Sequence, residues 1–415
     1  MREIKKLGIE DIDAYHKITV NAYPQGKDLS PEGIETYKED IATMLREEEA
    51  IHFYGLFEGD ELFGVMRIFD FHTNLFGKME IVTGLGFLSV DMGHKKQKIA
   101  RDLIKFFEED SLERGYPVGT LLPFRPDFYK SMGYGYGTKY NQYVLRCKQF
   151  PKLEDKSQVR ILDKEEMPKL VEFQRTLTEK THGMAYKTKG EIQDFLEDEE
   201  LRIAATDEAG ELKGYMLFEF TPGPSGNYFD NDLVVRELAY ETPRALRELL
   251  GFLHEQADQV SRVFMHTADP DFHYLLDNPT RVDGSYVDFG NLEANHQFIG
   301  PMYKLFDFEK ALKKFSHRNY HGVNLKIKLE IYDEFKDKVD EIVLSFLEGA
   351  LSLDDKDYDV VAKLKLADLS SLYMGAVSAY SLYRLGRMKV DKVEYLDRIN
   401  QAFMVPQMPV FNTDF

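Results

Sequence analysis

The sequence predicts an α/β protein of α+β character, with mixed sheets flanked by helices, arranged as a duplicated domain followed by a third, different one. Three observations predict this. Over residues 1–150, strand-like apolar runs alternate with helical spacing. Part of that pattern then returns. IKKLGIEDID (4–13) matches VRILDKEEMP (159–168) as short strand, turn, two acids and helix start, and EGDELFG (58–64) matches EAGELKG (208–214), at intervals of 155 and 150 residues. A third block follows, with strands around a helical stretch rich in small residues. The expected domains are 1–150, 151–290 and 291–415.

Composition bounds the function. A chain of 415 residues suits roughly two to four domains. Its 43% hydrophobic and 13% aromatic content supplies packed cores and excludes disorder. The single cysteine, Cys147, excludes an intrachain disulfide framework and any cysteine-based zinc site, so a reducing compartment is expected. MREIKKLGIEDIDAYHKI has no apolar leader core, and no uninterrupted apolar run is long enough to span a bilayer. The expectation is a cytoplasmic protein with no membrane partner. A net charge of −19 argues against nucleic acid and favours cationic ligands.

In chain order, IHFYGLF (51–57), a turn at EGDE and LFGVMRIFDF (62–71) read as a hairpin with Gly59 in the turn. KMEIVTGLGFLSV (78–90) is a strand carrying Gly84 and Gly86, which suggests a bulge or close approach of a ligand to backbone. Ile99, Leu103, Phe106 and Phe107 follow helical spacing. YPVGTLLPF (116–124) is a strand, RPDFYKSMGYGYG (125–137) a short helix with Pro126 in its first turn, and TKYNQYVLR (138–146) a strand closing the first block. In the second copy, LVVRELAYETPRALRELLGFL (233–253) passes from strand straight to helix, with Thr242 as N-cap and Pro243 at N1, leaving no room for a phosphate-wrapping turn. In the third block, 302–315 reads as strand and helix and 323–333 as an alternating strand. Residues 340–351 are undecided between helix and strand, and 366–386 is helical. The aromatic end, QMPVFNTDF, suggests a terminus tied down onto the protein.

The segment VDMGHKKQKIARDLIKFF (90–107) places Lys95, Lys96, Lys98 and Arg101, with no acid among residues 94–101, between a glycine-bearing strand and a helix. The first N–H groups of a helix are unpaired and its dipole is positive there, so a cationic turn entering a helix suits a pyrophosphate. The strand–cationic turn–helix–strand–helix order, ending in FYKSMGYG, resembles the GNAT superfamily of acetyl-CoA-dependent N-acetyltransferases. That family's pyrophosphate loop reads [RQ]-x-x-G-x-[GA]. Here Lys95-Lys96-Gln97-Lys98-Ile99-Ala100 keeps the final alanine, places Lys95 at the first position and replaces the first glycine with Lys98. The combination of a GNAT copy, a degenerate second copy and a third domain ending on an aromatic residue resembles the Eis (enhanced intracellular survival) family over essentially the whole chain. The resemblance implies tandem GNAT folds followed by a sterol-carrier-protein-like domain, with ADLSSLYMGAVSA (367–379) as that domain's helix. It also implies acetylation of cationic amines (aminoglycosides, polyamines, lysine-bearing peptides) and a hexamer.

The resemblance further implies Tyr129 as general acid and the α-carboxylate of Phe415 as general base. It implies acetyl-CoA held by Lys95, Lys96, Gln97, Lys98, Ile99, Ala100 and Arg101 and by the main chain at Leu88, Ser89 and Val90. Phe87 would line the amine pocket, and Asp414 would hold a cationic substrate. No metal is expected. DNPTRVDGSYVD (277–288) lacks the acids a calcium loop needs at 279 and 281, and the histidines show no paired-ligand spacing. There is no G-x-S-x-G elbow and no Walker loop. Two other classes remain open: a lipid- or hydrophobe-binding protein acting through the third domain, and an aminoacyl transferase built on paired GNAT copies.

Overall fold

The structure is a computed structural model describing residues 2–25, 28–284, 286–287, 290–353 and 356–413. The chain divides into two compact units, one of residues up to 137 with 182–185 and 301–415, the other of 138–181 and 186–300. Among the described residues no helix is long and apolar enough to cross a membrane.

In the first unit, β1 (Arg2–Lys6), β2 (Ile51–Glu58), β3 (Glu61–Leu75), β4 (Lys78–Val90), β5 (Val118–Leu121) and β6 (Gly135–Tyr136) form one sheet with helices α1 (Ile12–Ala22), α2 (Pro31–Glu47), α3 (Ile99–Glu113) and α4 (Pro126–Lys130). The expected hairpin is β2–β3, and Gly59 takes φ +64° in its turn. Apolar residues of α3 at 99, 103 and 107 are buried against β3, where Gly64 admits the helix: a Cβ at 64 would stand 2.6 Å from the Ile99 side chain.

The sheet contains an exchange that corrects the sequence reading. The strand expected to close the first block, Tyr140–Leu145, pairs instead in the second unit's sheet, between Val260–Thr267 and His296–Phe298. The place beside β5 is taken by Met302–Leu305, read from sequence as the start of the third block. Local pattern identifies a strand but not the sheet it joins. Gly119 fits the exchange, since a Cβ there would lie 2.1 Å from the Phe306 ring.

The inserted strand carries a buried charge. Lys304 is wholly buried, and its Nζ lies 2.6 Å from Glu108 Oε1 on α3. Burial pushes the Glu108 carboxyl up and the Lys304 ammonium down, and the partner's charge opposes each shift. Such a pair contributes little net stability when intact, but removing one partner is costly.

The rest of the first unit is built on a mixed sheet. Leu325–Asp333 pairs antiparallel with Lys338–Leu347 and parallel with Val360–Lys365. The undecided stretch 340–351 is therefore strand to Leu347, then a tight turn and the start of a short strand, Ala350–Ser352, that pairs back onto it. The helical stretch 366–386 splits at Gly375, φ +81°, into Leu366–Met374 and Ala379–Arg384, the second capped by Ser378. Buried Arg318 donates to Tyr373 O (2.5 Å) and Phe403 O (2.8 Å), at the C-terminal ends of Leu366–Met374 and Leu396–Phe403, so two helix dipoles offset its charge.

The second unit repeats the theme on its own sheet. Its hairpin, Arg202–Glu208 with Glu211–Pro222, turns at Gly210 as β2–β3 turns at Gly59.

Lys304→Met should lower unfolding free energy by about 3–5 kcal/mol at pH 7 in urea denaturation, whereas Glu108→Leu/Lys304→Met together should recover most of it. With its cation gone, Glu108 holds its proton more tightly folded than unfolded. The deficit of Lys304→Met should therefore be largest at neutral pH and shrink as pH falls toward about 4.3, the ordinary glutamate value.

Candidate active site

The site begins where β4 leaves its neighbours. Against β3 the register shifts between Val65 and Arg67, so that Val65 faces Ser89 and Arg67 faces Gly86. Phe87 sits in this bulge at φ +51°. On its other side β4 pairs with β5 only at Thr83–Gly119 and Gly84–Thr120. From Leu85 onward the two parallel strands part, so the main chain at Leu88, Ser89 and Val90 has no strand partner on that side among the described residues. The Tyr23 hydroxyl donates to Leu88 O at 3.3 Å, and Ser89 Oγ donates to Phe87 O at 3.1 Å.

The chain then turns through the cationic loop. Asp91 braces it, accepting from Gly93 N (2.9 Å) and pairing with His94 Nδ1 (2.7 Å), while the His94 ring stacks on Phe63. Lys96 and Lys98 both take left-handed φ of 66°. Lys98 thus adopts the backbone a glycine would favour at that position, and it stands at the N-cap of α3 without a side-chain cap bond. The N–H groups of Ile99, Ala100 and Arg101 begin the helix. Lys95, Lys96 and Lys98 are exposed and have no ion-pair partner among the described residues. The structure does not bring every expected residue to this cradle. Arg101 turns to Phe335, donating to its carbonyl at 3.1 Å and stacking on its ring. Gln97 is held by Arg2, whose Nη1 donates to Gln97 O at 2.8 Å.

Tyr129 lies on α4, 3% exposed, among the rings of Phe124, Phe128 and Tyr134. Burial pushes its hydroxyl well above the ordinary tyrosine value, and the nearby Tyr23 phenol adds to this. Tyr23 itself is fixed at the end of β4 by Leu88 O and the Phe87 ring.

An aromatic cluster, formed chiefly by β3, lies beside Phe87. Phe69 and Phe71 stack, Phe411 meets Phe71 edge-on at 6.0 Å, and Phe87 packs beside them. Phe411 arrives from the C-terminal segment. Val410 N donates to His182 O (2.8 Å), and Asn412 exchanges hydrogen bonds with Ala185. The chain end therefore folds back onto the first sheet through Thr413, which is buried. Asp414 and Phe415 lie outside the described residues.

Sequence reasoning missed Arg2, Tyr23 and Arg67. Arg67 left a signal, as a lone cation inside the apolar run LFGVMRIFDF, whereas Arg2 and Tyr23 left none. In the second unit the equivalent helix, Pro243–Glu255, is closed by Thr242 Oγ1 accepting from Ala245 N at 3.0 Å, so it offers no anion cradle. Cys147 is buried, its thiol pushed up to about 11, and so is inert. Among the described residues no cluster of three or more His, Cys, Asp or Glu side chains could hold a metal.

The left-handed backbone at Lys98 gives a direct test. Lys98→Gly should raise unfolding free energy by about 1 kcal/mol, because glycine takes that conformation without steric cost. Lys98→Ala should give no such gain, and chemical denaturation separates the two.

Comparison with known proteins bears on these features. Residues 3–137 match an acetyltransferase (GNAT) domain family, residues 183–288 a second acetyltransferase (GNAT) domain family, and residues 308–412 a sterol carrier protein domain family. No curated protein matches the sequence. Similar solved structures include a conserved protein of Enterococcus faecalis V583 (TM-score 0.80, 17% identity, 100% of each chain covered). A GCN5-related N-acetyltransferase of Anabaena variabilis is also similar (0.80, 16%, 99% of each chain), as is Eis1 of Mycobacterium abscessus (0.76, 17%, 100% of each chain). Residues 3–137 and 183–288 are thus two acetyltransferase (GNAT) domains in tandem and residues 308–412 a sterol carrier protein domain, and the chain shares its whole-chain fold with Eis1.

Proposed function

We propose that the first domain transfers the acetyl group of acetyl-CoA directly to a primary amine of a cationic substrate of the aminoglycoside, polyamine or lysine type. The observation that carries this is the parting of β4 from β5 beside the uncapped, cation-flanked start of α3. The fit to acetyl-CoA is chemical. An extended amide-bearing arm can pair with the free edge at Leu88, Ser89 and Val90. A diphosphate suits the first N–H groups of α3 and the unpaired Lys95, Lys96 and Lys98.

In the proposed reaction the amine lone pair attacks the thioester carbonyl, forming C–N and breaking C–S. Tyr129, kept protonated by burial, donates to the sulfur as charge develops there. The amine proton passes to the α-carboxylate of Phe415, and Asp414 holds a distal ammonium. The tail's course up to Thr413 supports this reading, because it brings Phe411 and Asn412 to the aromatic face beside Phe87. The net charge of −19 supports cationic acceptors. The proposal includes a homo-oligomer, a hexamer, and a cytoplasmic location, both resting on the Eis resemblance and composition.

The test is release of CoA, read with a thiol-reactive dye, across a panel of aminoglycosides, polyamines and lysine peptides. Tyr129→Phe should lower kcat by about 100-fold or more with CoA affinity unchanged. A peptide extension after Phe415 should abolish turnover without unfolding the protein. No CoA release with any amine overturns the reading, and normal turnover of the extended chain overturns the base assignment.

A further inference from the structure

Phe87 holds a strained backbone near the end of β4. Between the pairs Arg67–Gly86 and Val65–Ser89, two residues of β4, Phe87 and Leu88, stand against the single residue Met66 on β3. The left-handed position of such a bulge ordinarily belongs to glycine, because a Cβ there crowds the following carbonyl. Here phenylalanine takes it, at φ +51°. Two groups grip it. The Arg67 guanidinium carbon stands 3.8 Å from the centre of the Phe87 ring, in van der Waals contact. The Tyr23 ring meets Phe87 edge-on at 6.0 Å, and its hydroxyl donates to the next carbonyl, Leu88 O, at 3.3 Å.

Arg67 is itself fixed. It is buried on β3, and its Nε donates to the Tyr15 hydroxyl on α1 at 2.8 Å. Its Nη1 lies 3.6 Å from Met44 Sδ on α2, and its guanidinium carbon lies 4.9 Å from the centre of the Phe53 ring on β2. Three elements thus hold the guanidinium, and the guanidinium holds the Phe87 ring. The direction of a side chain follows its φ, so a return of residue 87 to ordinary strand backbone would swing the ring off Arg67. A buried cation–aromatic contact is comparable in strength to the cost of one left-handed residue.

We propose that Arg67 is a positioning residue for acetyl transfer: by keeping Phe87 left-handed, it fixes the direction of the main chain at Phe87 and Leu88 where the free edge of β4 meets the thioester. The inference rests on the acetyltransferase reading and deepens it. A main-chain N–H stabilises a developing oxyanion fully only when its direction is set beforehand. The diphosphate end of the cofactor lies at the start of α3 and does not depend on the bulge. Arg67 moves no proton in this role and acts only through Phe87.

The experiment is a double-mutant cycle on Arg67 and Phe87, read as kcat at saturating acetyl-CoA and amine and as CoA affinity. Arg67→Met keeps the volume and loses the planar stack. It should lower kcat by about tenfold and leave CoA affinity unchanged. Glycine takes positive φ without steric cost, so the Phe87→Gly protein needs no clamp. Adding Arg67→Met to Phe87→Gly should change kcat by less than about twofold. If Arg67→Met does not fold, Arg67→Lys, which keeps the charge without the planar face, is read in the same way. If Phe87→Gly does not turn over, the crystal structure of the Arg67 variant decides: negative φ at Phe87 supports the inference, and retained left-handed φ overturns it. Unchanged kcat in the Arg67 variant overturns it, and so does a loss of equal size in the Phe87→Gly background, since Arg67 would then act on something other than the bulge. No CoA release by the wild-type protein with any amine overturns the acetyltransferase reading instead.

Discussion

The site depends on two parallel strands that pair for only two residues and then separate. β4 and β5 meet at Thr83–Gly119 and Gly84–Thr120 and diverge beyond, with the bulge at Phe87 turning the free end of β4 away. A gap in a sheet exposes main-chain polar groups and would ordinarily close or collect another strand. Here β5 is anchored on its far side by Met302–Leu305, itself locked to α3 through Lys304 and Glu108. The same helix that begins at the cationic loop therefore carries, nine residues after Ile99, the acid that fixes the strand bounding the gap.

This arrangement explains which parts of the fold were legible in the sequence. The β2–β3 hairpin, the strand ending at Val90, α3 and the Thr242 cap all depend on spacing within a few residues, and they appear where that spacing puts them. The exchange of Tyr140–Leu145 for Met302–Leu305 depends on partners far apart in the chain. An apolar run such as MYKLF fits either sheet equally well. Lys304 was the one visible sign that the run had a distant partner, because a lysine at an inward position needs an acid. The residues of the cationic loop were legible as chemistry but not as geometry. Its sequence did not show that Lys98 keeps a glycine's backbone, or that Arg101 leaves for Phe335.

Charge is distributed unevenly for an acidic chain. Among the described residues many cations sit in ion pairs, as Arg114 does with Asp70 and Asp110. At one end of β4, Lys95, Lys96 and Lys98 are exposed without an ion-pair partner among the described residues, while Arg67 on β3 is buried against the Phe87 ring. Exposed lysines suit a diphosphate that arrives with its own negative charge. The sheet's two faces are packed differently, with Ile99 and Leu103 on one and Tyr15 and Phe53 on the other.

Under the proposed function, the free edge of β4 and the start of α3 form the acetyl-CoA site. Amide hydrogen exchange with and without CoA tests it most directly. CoA should slow exchange within residues 85–101, the α3 start included, and leave the second unit's Pro243–Glu255 helix unchanged. Protection confined to the second unit or the third domain, with residues 85–101 unaltered at saturating CoA, would contradict it.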